Sequence, residues 1–317
     1  MDILYFLIQQ TLLFMIPLLI AAIGGMFSER AGVVNIALEG IMVMGAFTSV
    51  LFLNFTQNYM SGNIQLLIAI FIAIVTGIIF SMFHAIASII LKADQTISGT
   101  ALNMFAPAFA IFISRVIQGV QQIEFKNTFR IVKVPILSKI PVIGNMFFQN
   151  TYITTYIGIG ILIASAIILY KTKFGLRLRA CGENPQAANA AGISVSKIQF
   201  AGVLISGALA GLGGLVFIVP ISTNYNATVS GYGFLAVAVL IFGQWKPKYI
   251  LCAAFFFGFM KAVSNSYTGI QFLLDLKIPA NVYKMVPYIA TIFALIFTSK
   301  KSAAPRASGI PFDPMQR

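Results

Sequence analysis

The chain has 317 residues, of which 59% are hydrophobic and only 9% are charged, and its mean hydropathy is +0.91. Soluble domains carry about 25% charged residues, so this composition excludes a soluble globular protein. The net charge of +13 gives no reason to expect a nucleic-acid partner, because basic residues accumulate in the cytoplasmic loops of membrane proteins and set their orientation.

Apolar runs long enough to cross a hydrocarbon core of about 30 Å recur along the chain. The alternating ten-residue segments of a membrane barrel are absent from the sequence. The pattern therefore predicts an all-α, polytopic membrane protein of about nine transmembrane helices, with eight or ten also compatible. The predicted spans are residues 3–27, 35–54, 64–91, 99–119, 151–170, 199–220, 232–243, 249–267 and 282–298.

A polar segment, SERAGVVNIALEG (residues 28–40), separates the first two spans. Gly32 gives the backbone the conformational freedom to break between two helices, and Asn35 can cap the start of the second span. Glu39 follows on the same helix face as Asn35 and suits a protein or water environment better than lipid. Two interpretations stay open: Asn35 or Glu39 lines a substrate pathway, or Glu39 fixes helix packing while Glu29 and Arg30 pair locally.

Other polar side chains fall inside later spans. Asn103 lies in the fourth, and Lys261 and Asn265 lie one turn apart in the eighth. The latter two suit a water-filled cavity or hydrogen bonds between helices, although snorkelling of Lys261 to the interface is an alternative. Trp245, the only tryptophan, is expected at the membrane interface. His84, the only histidine, is expected to pack within a helix bundle.

Basic residues give a topology. A first cluster follows the fifth span and a second follows the last, so both regions are expected in the cytoplasm, with the N-terminus outside. These clusters are Lys171, Lys173, Arg177 and Arg179, then Lys300, Lys301 and Arg306. The loop between about 120 and 150 is then outside, although it is itself basic.

Motifs for catalysis are missing. The sequence has no G-x-x-x-x-G-K-[ST], H-E-x-x-H or G-x-S-x-G pattern. Cys181 and Cys252 are a poor disulfide pair and form no metal-binding spacing. We predict a non-enzymatic chain with no catalytic residues, metal or cofactor of its own. An ion-coupled carrier is the alternative, poorly supported because only Glu39 and Lys261 are candidate ionisable groups within spans.

The polar loop at about 171–198 has the signals of a short helix. Asn184 is a good N-cap, Pro185 suits the first helical position, and Gly192 can close the helix in the left-handed conformation. Two isolated turns are marginally stable, so the helix is expected to dock on another surface through small residues at 187, 188 and 191. A capped connector lying on the membrane is the alternative.

Two motifs carry a family resemblance. RACGENPQAANAAGISVSKIQFAGVLISGALAGLGG resembles the coupling loop and following span of ABC-importer permeases for branched-chain amino acids, simple sugars and nucleosides. SERAGVVNIALEGIMVMGAF is similar to the nucleoside-importing branch. The resemblance covers about residues 5–298 and implies that the loop helix sits in a groove of a separate ATPase. The residues matching the coupling pattern are Gly182, Glu183, Asn184, Ala187, Ala188 and Gly192.

The resemblance implies a function and an assembly. Residues 1–299 are expected to form one permease domain of a bacterial cell membrane, and residues 300–317 a flexible cytoplasmic tail. The permease would form the pathway for nucleosides, with simple sugars or branched-chain amino acids as the alternative substrates. Its implied partners are a second, different permease subunit, an ATPase that binds ATP and Mg, and an extracytoplasmic substrate-binding lipoprotein.

Overall fold

The computed structural model describes residues 2–60, 62–135, 138, 140–141, 143–267, 279, 282–283, 285–287, 289–292 and 303–313. Helices dominate this part of the chain. They are α1 (Asp2–Arg30), α2 (Leu38–Thr56), α3 (Asn63–Ala85), α4 (Gln95–Gln118), α5 (Ile143–Phe147), α6 (Ile153–Lys171), α7 (Lys173–Glu183), α8 (Pro185–Ala190), α9 (Val195–Ile221), α10 (Tyr232–Phe242) and α11 (Pro247–Ser266). A π-helical turn (Ile86–Ile90) continues α3.

Seven of the described helices are long and apolar enough to cross a membrane: α1, α2, α3 with its π-helical turn, α4, α6, α9 and α11. The shorter apolar α10 is the eighth. These helices confirm a polytopic helical protein and coincide with the first eight predicted spans. The ninth predicted span, 282–298, lies largely outside the described residues, so the total of nine stays a prediction.

Glycines bring three spans into direct backbone contact. A Cβ atom added at Gly77 of α3 would meet the carbonyl oxygen of Gly207 in α9, and one added at Gly45 of α2 would meet the backbone of Gly211. Spacing of small residues four positions apart allows this close approach. The buried core is built around α1, α2 and α9, which lie at the centre of the bundle.

One end of the bundle carries two small sheets, which we call the sheet end. The strands are β1 (Ile123–Glu124), β2 (Arg130–Lys133), β3 (Gln149–Tyr152) and β4 (Asn224–Tyr225). β1 pairs antiparallel with β4, and β2 with β3. The all-α prediction omitted these strands because runs this short lack a recognisable period. The basic loop at about 120–150 therefore folds at the end opposite α7 and α8.

The chain approaches α10 through a non-helical segment that enters the bundle. Tyr225 at the sheet end donates a 2.8 Å hydrogen bond to the carbonyl oxygen of Val43, five residues into α2. α10 then begins beside Glu39. Its 11 residues extend about 16 Å, roughly half of a hydrocarbon core. α10 is thus a half-length helix that starts within the bundle.

Candidate functional site

α8 forms from the local signals that the sequence carries. The side chain of Asn184 accepts a 3.0 Å hydrogen bond from the backbone N–H of Ala187, and Pro185 occupies the first turn. Gly192 has a φ of +79°, a conformation that favours glycine. Asn184 and Gly192 therefore cap and close the helix as predicted.

The two faces of α8 differ from the prediction. Ala188 is buried in a small cluster with Cys181 and Val195, whereas Ala187 and Ala191 are exposed. The predicted docking face therefore divides into an inner contact, made by Ala188 with its own chain, and an outer surface open to a partner. Burial raises the pKa of the Cys181 thiol to about 11, so this thiol stays protonated at neutral pH.

α7 is a helix where the sequence predicts a loop, and it connects α8 to the membrane helices. Gly182 packs against the backbone of Arg30 so closely that a Cβ atom at this position would meet the Arg30 carbonyl oxygen. The Arg30 guanidinium lies 3.7 Å from the carboxylate of Glu183, which is half-exposed. Gly182 and Glu183 therefore fasten the α7–α8 segment to the end of α1, and Glu183 pairs with Arg30, which one of the two open interpretations paired with Glu29.

A second connection joins α1 to the turn between α10 and α11. Trp245 donates a 2.6 Å hydrogen bond from Nε1 to Glu29, and Arg30 donates two hydrogen bonds of 3.1 and 3.2 Å to the Trp245 carbonyl oxygen. Trp245 is 5% exposed, so it is a packed residue rather than the interface anchor expected. Gln244 and Trp245 both have positive φ, a strained conformation for non-glycine residues that these contacts hold in place.

Asn35 and Asn103 bind the start of α2 to neighbouring helices. Asn35 is buried and donates a 2.8 Å hydrogen bond to Ser206 of α9, while its side-chain oxygen accepts from the N–H of Ala37. Asn103 donates to the carbonyl oxygen of Ile36 and accepts from the N–H of Gly40. Both amides are engaged in hydrogen bonds within the protein, and pathway lining by Asn35 and Asn103 stays a prediction.

Glu39 lies at the N-terminus of the half-length helix α10. Its two carboxylate oxygens accept hydrogen bonds from the N–H groups of Gly231 at 2.9 Å and Gly233 at 2.6 Å. A carboxylate satisfies the otherwise unpaired N–H groups of a helix start and interacts favourably with its dipole. Glu39 therefore packs against the start of α10, and pathway lining by Glu39 stays a prediction.

Lys261 and Asn265 have different surroundings although they lie one turn apart. Lys261 is half-buried, with Nζ 5.7 Å from the ring centre of Tyr232 at the start of α10. Asn265 is exposed to a cavity of about 340 Å³ that Gln10 of α1 and Pro220 of α9 also line. Asn265, one of the five predicted pathway residues, is therefore placed on an open cavity. His84 is buried between Val34 and Ser98, as a packed residue.

Within the described ranges, no three His, Cys, Asp or Glu side chains gather as metal ligands would. What the described residues form instead is a connected set of contacts between elements. A short exposed helix connects through Gly182 and Arg30 to α1, and α1 connects through Glu29 and Trp245 to α10 and α11.

Comparison with known proteins gives one family. The family described as "Branched-chain amino acid transport system / permease component" matches residues 7–295. The guanosine ABC transporter permease protein NupQ of Bacillus subtilis (strain 168) is 45% identical over 98% of this chain and 97% of its own length. The nucleoside ABC transporter permease protein NupC of Lactococcus lactis subsp. cremoris (strain MG1363) is 40% identical, with 96% of each chain covered.

A second Lactococcus protein is also similar. The nucleoside ABC transporter permease protein NupB of the same strain is 28% identical over 95% of this chain and 84% of its own length. No solved structure matches the chain.

Proposed function

The chain belongs to the family of branched-chain amino acid transport system permease components, and from this premise we propose that it forms the membrane pathway of an ATP-driven nucleoside importer. The observation that carries the substrate class is similarity of 45% and 40% over nearly the whole length to permeases named for guanosine and nucleosides. As a permease component it transports rather than catalyses, and it is a multi-pass membrane protein.

ATP and Mg are bound by a separate ATPase in this proposal. The exposed surface of α8, with Ala187 and Ala191, docks in that ATPase. A displacement of α8 reaches α7, and through the backbone contact of Gly182 with Arg30 it reaches α1. The hydrogen bond between Glu29 and Trp245 carries it on to α10 and α11.

The remaining partners follow from the two ends of the bundle. The α7–α8 end faces the cytoplasm of a bacterial cell, with the described tail residues 303–313 on the same side. A substrate-binding lipoprotein delivers nucleosides to the sheet end. Because Lactococcus has two similar permeases, we propose that a second, different permease completes the pathway.

Uptake of radiolabelled guanosine, uridine and adenosine tests this function. Cells lacking the chain should lose uptake, and uptake should return with the intact chain or with Gly160→Ala, whose added Cβ meets nothing within 4 Å. Uptake should survive an ionophore and stop when the partner ATPase is inactivated. Uptake that continues in cells without a functional ATPase and stops when the ionophore is added would overturn the ATP-driven mechanism. Competition by glucose or leucine, but not by nucleosides, would overturn the substrate class.

A further inference from the structure

Residues 303–313 fold back over the α7–α8 end of the bundle, where a flexible tail was expected. Pro305 and Ala307 are buried. We call this segment the C-terminal strap. It touches four separate cytoplasmic turns, and these turns belong to different spans.

Two strap contacts fasten the central turns. The N–H of Ala307 donates a 2.9 Å hydrogen bond to the carbonyl oxygen of Gly182, and the N–H of Gly309 donates to that of Gly32 at 3.2 Å. Gly182 lies at the end of α7 next to α8, and Gly32 lies between α1 and α2. The strap therefore bridges the coupling loop and the first membrane turn through backbone atoms.

The other contacts lie at the two ends of the strap. The N–H of Ala303 donates a 2.8 Å hydrogen bond to the side chain of Gln244 in the strained turn before α11. Gln186 of α8 donates from its side chain to the carbonyl oxygen of Asp313 at 2.9 Å. The Asp313 carboxylate lies 3.3 Å from Lys92, which follows the π-helical turn of α3.

Phe312 adds an apolar contact. It packs at the edge of the cluster formed by Cys181, Ala188 and Val195, which is the contact that holds α8 to its own chain. A six-residue helix has little stability of its own, so its position depends on these neighbours.

We propose that the C-terminal strap is a positioning element that holds α7 and α8 in register with the α1–α2 and α10–α11 turns, so that movement of α8 reaches the membrane helices together. The proposal rests on the proposed function for the meaning of that movement. Without the strap, α8 remains able to bind its ATPase but moves independently of the spans.

Cys181 provides a structural test that needs no transport. Its side chain is fully buried under α8 and the strap, and its rate of reaction with a maleimide reports local opening. The purified permease complex carries Cys252→Ala, so that Cys181 is the one cysteine left in this chain, and its labelling is read on the separated permease band. Compared with the intact chain, a chain ending at residue 302 should label about tenfold faster and Phe312→Ala several-fold faster. Ile310→Ala is the matched control, because Ile310 is 62% exposed.

Transport of the same variants supplies the second readout. The chain ending at residue 302 should keep ATP hydrolysis and ATPase co-purification while losing most stimulation by substrate. Phe312→Ala should lower the maximal uptake rate and leave the substrate concentration for half-maximal uptake unchanged. Unchanged Cys181 labelling in both variants would overturn the strap, and so would full coupling after truncation. Faster labelling of the variants, when the intact chain itself imports no nucleoside, would leave the strap standing and overturn the proposed substrate.

Discussion

Trp245 donates a 2.6 Å hydrogen bond from its indole nitrogen to the carboxyl group of Glu29, a residue 216 positions away in the chain. Both side chains are buried. This bond ties the turn between α10 and α11 to the end of α1, on the route that we propose from α8 to the membrane helices.

Removing the donor should destabilise the permease. Trp245→Phe leaves the buried Glu29 carboxyl without its partner, a loss of about 1–3 kcal/mol in the free energy of unfolding. The midpoint temperature of unfolding of the purified protein in detergent should fall accordingly. The double variant Glu29→Leu with Trp245→Phe removes both polar groups and should lose less than the sum of the single variants. Strictly additive losses would contradict a direct interaction between the two side chains.

Glu39→Ala should disrupt the start of α10. The N–H groups of Gly231 and Gly233 would lose their acceptor, and loss of a helix cap costs about 0.5–2 kcal/mol. Hydrogen exchange should accelerate in residues 232–236, and nucleoside uptake should fall. Glu39→Gln keeps one acceptor oxygen and should give an intermediate effect. Normal exchange in Glu39→Ala combined with lost uptake would point instead to pathway lining.

Gly77→Ala should be poorly tolerated because its Cβ would meet the backbone of Gly207 across the α3–α9 contact. Overpacking of this kind costs about 1–3 kcal/mol, which thermal unfolding and the yield of folded protein in membranes will report. Gly160→Ala is the matched control in α6, with open space around the added methyl group. Equal yields and unfolding temperatures for the two variants would contradict backbone contact at Gly77.

Large side chains introduced on the two faces of α8 should have different effects. Ala187 is exposed and Ala188 is buried, so Ala187→Trp should leave the permease folded but reduce recovery of the ATPase on co-purification. Ala188→Trp should lower the unfolding temperature of the isolated permease, because it forces apart the cluster with Cys181 and Val195. A fully assembled and transporting Ala187→Trp complex would contradict docking through this surface.

The Cys181 thiol gives a pH prediction. Burial raises its pKa from an ordinary value of 9.0 to about 11, so the folded protein holds this proton more tightly than the unfolded chain. The contribution to stability is complete below pH 9 and is lost as the pH rises from 9 to 11, by at most about 1.4 kcal/mol per pH unit. The midpoint temperature of unfolding of Cys181→Ala should therefore fall less steeply between pH 9 and 11 than that of the intact protein. Parallel pH profiles would contradict the raised pKa.

Local physics decides which elements can be predicted from the sequence. The first eight spans follow from hydropathy, and the ends of α8 follow from Asn184, Pro185 and Gly192 because capping depends on neighbouring residues. α7 escapes prediction because two glycines, which are poor helix formers, interrupt its eleven residues, and the packing of Gly182 against the end of α1 is a contact with a distant part of the chain.

Partners distant in the chain cannot be predicted in this way. The residues around Glu39 do not indicate that its carboxylate accepts hydrogen bonds from Gly231 and Gly233, almost 200 residues later. The strap is the clearest case, because the prolines, serines and basic residues of the tail from residue 300 are typical of disorder, yet the backbone N–H groups of the strap reach Gly182 and Gly32. The small-residue spacing of α9 indicates close packing, although the spacing does not identify which helices meet.

Backbone contact among α2, α3 and α9 limits how the bundle can move. Between Gly77 and Gly207 the backbones meet directly, with no side chain that could change rotamer. Even a small shift of one helix towards the other therefore produces a steric clash. We expect these three spans to move as one rigid body throughout each transport cycle. Movement then falls to α4, α6 and α11, which bury the smallest shares of their apolar surface among the described spans.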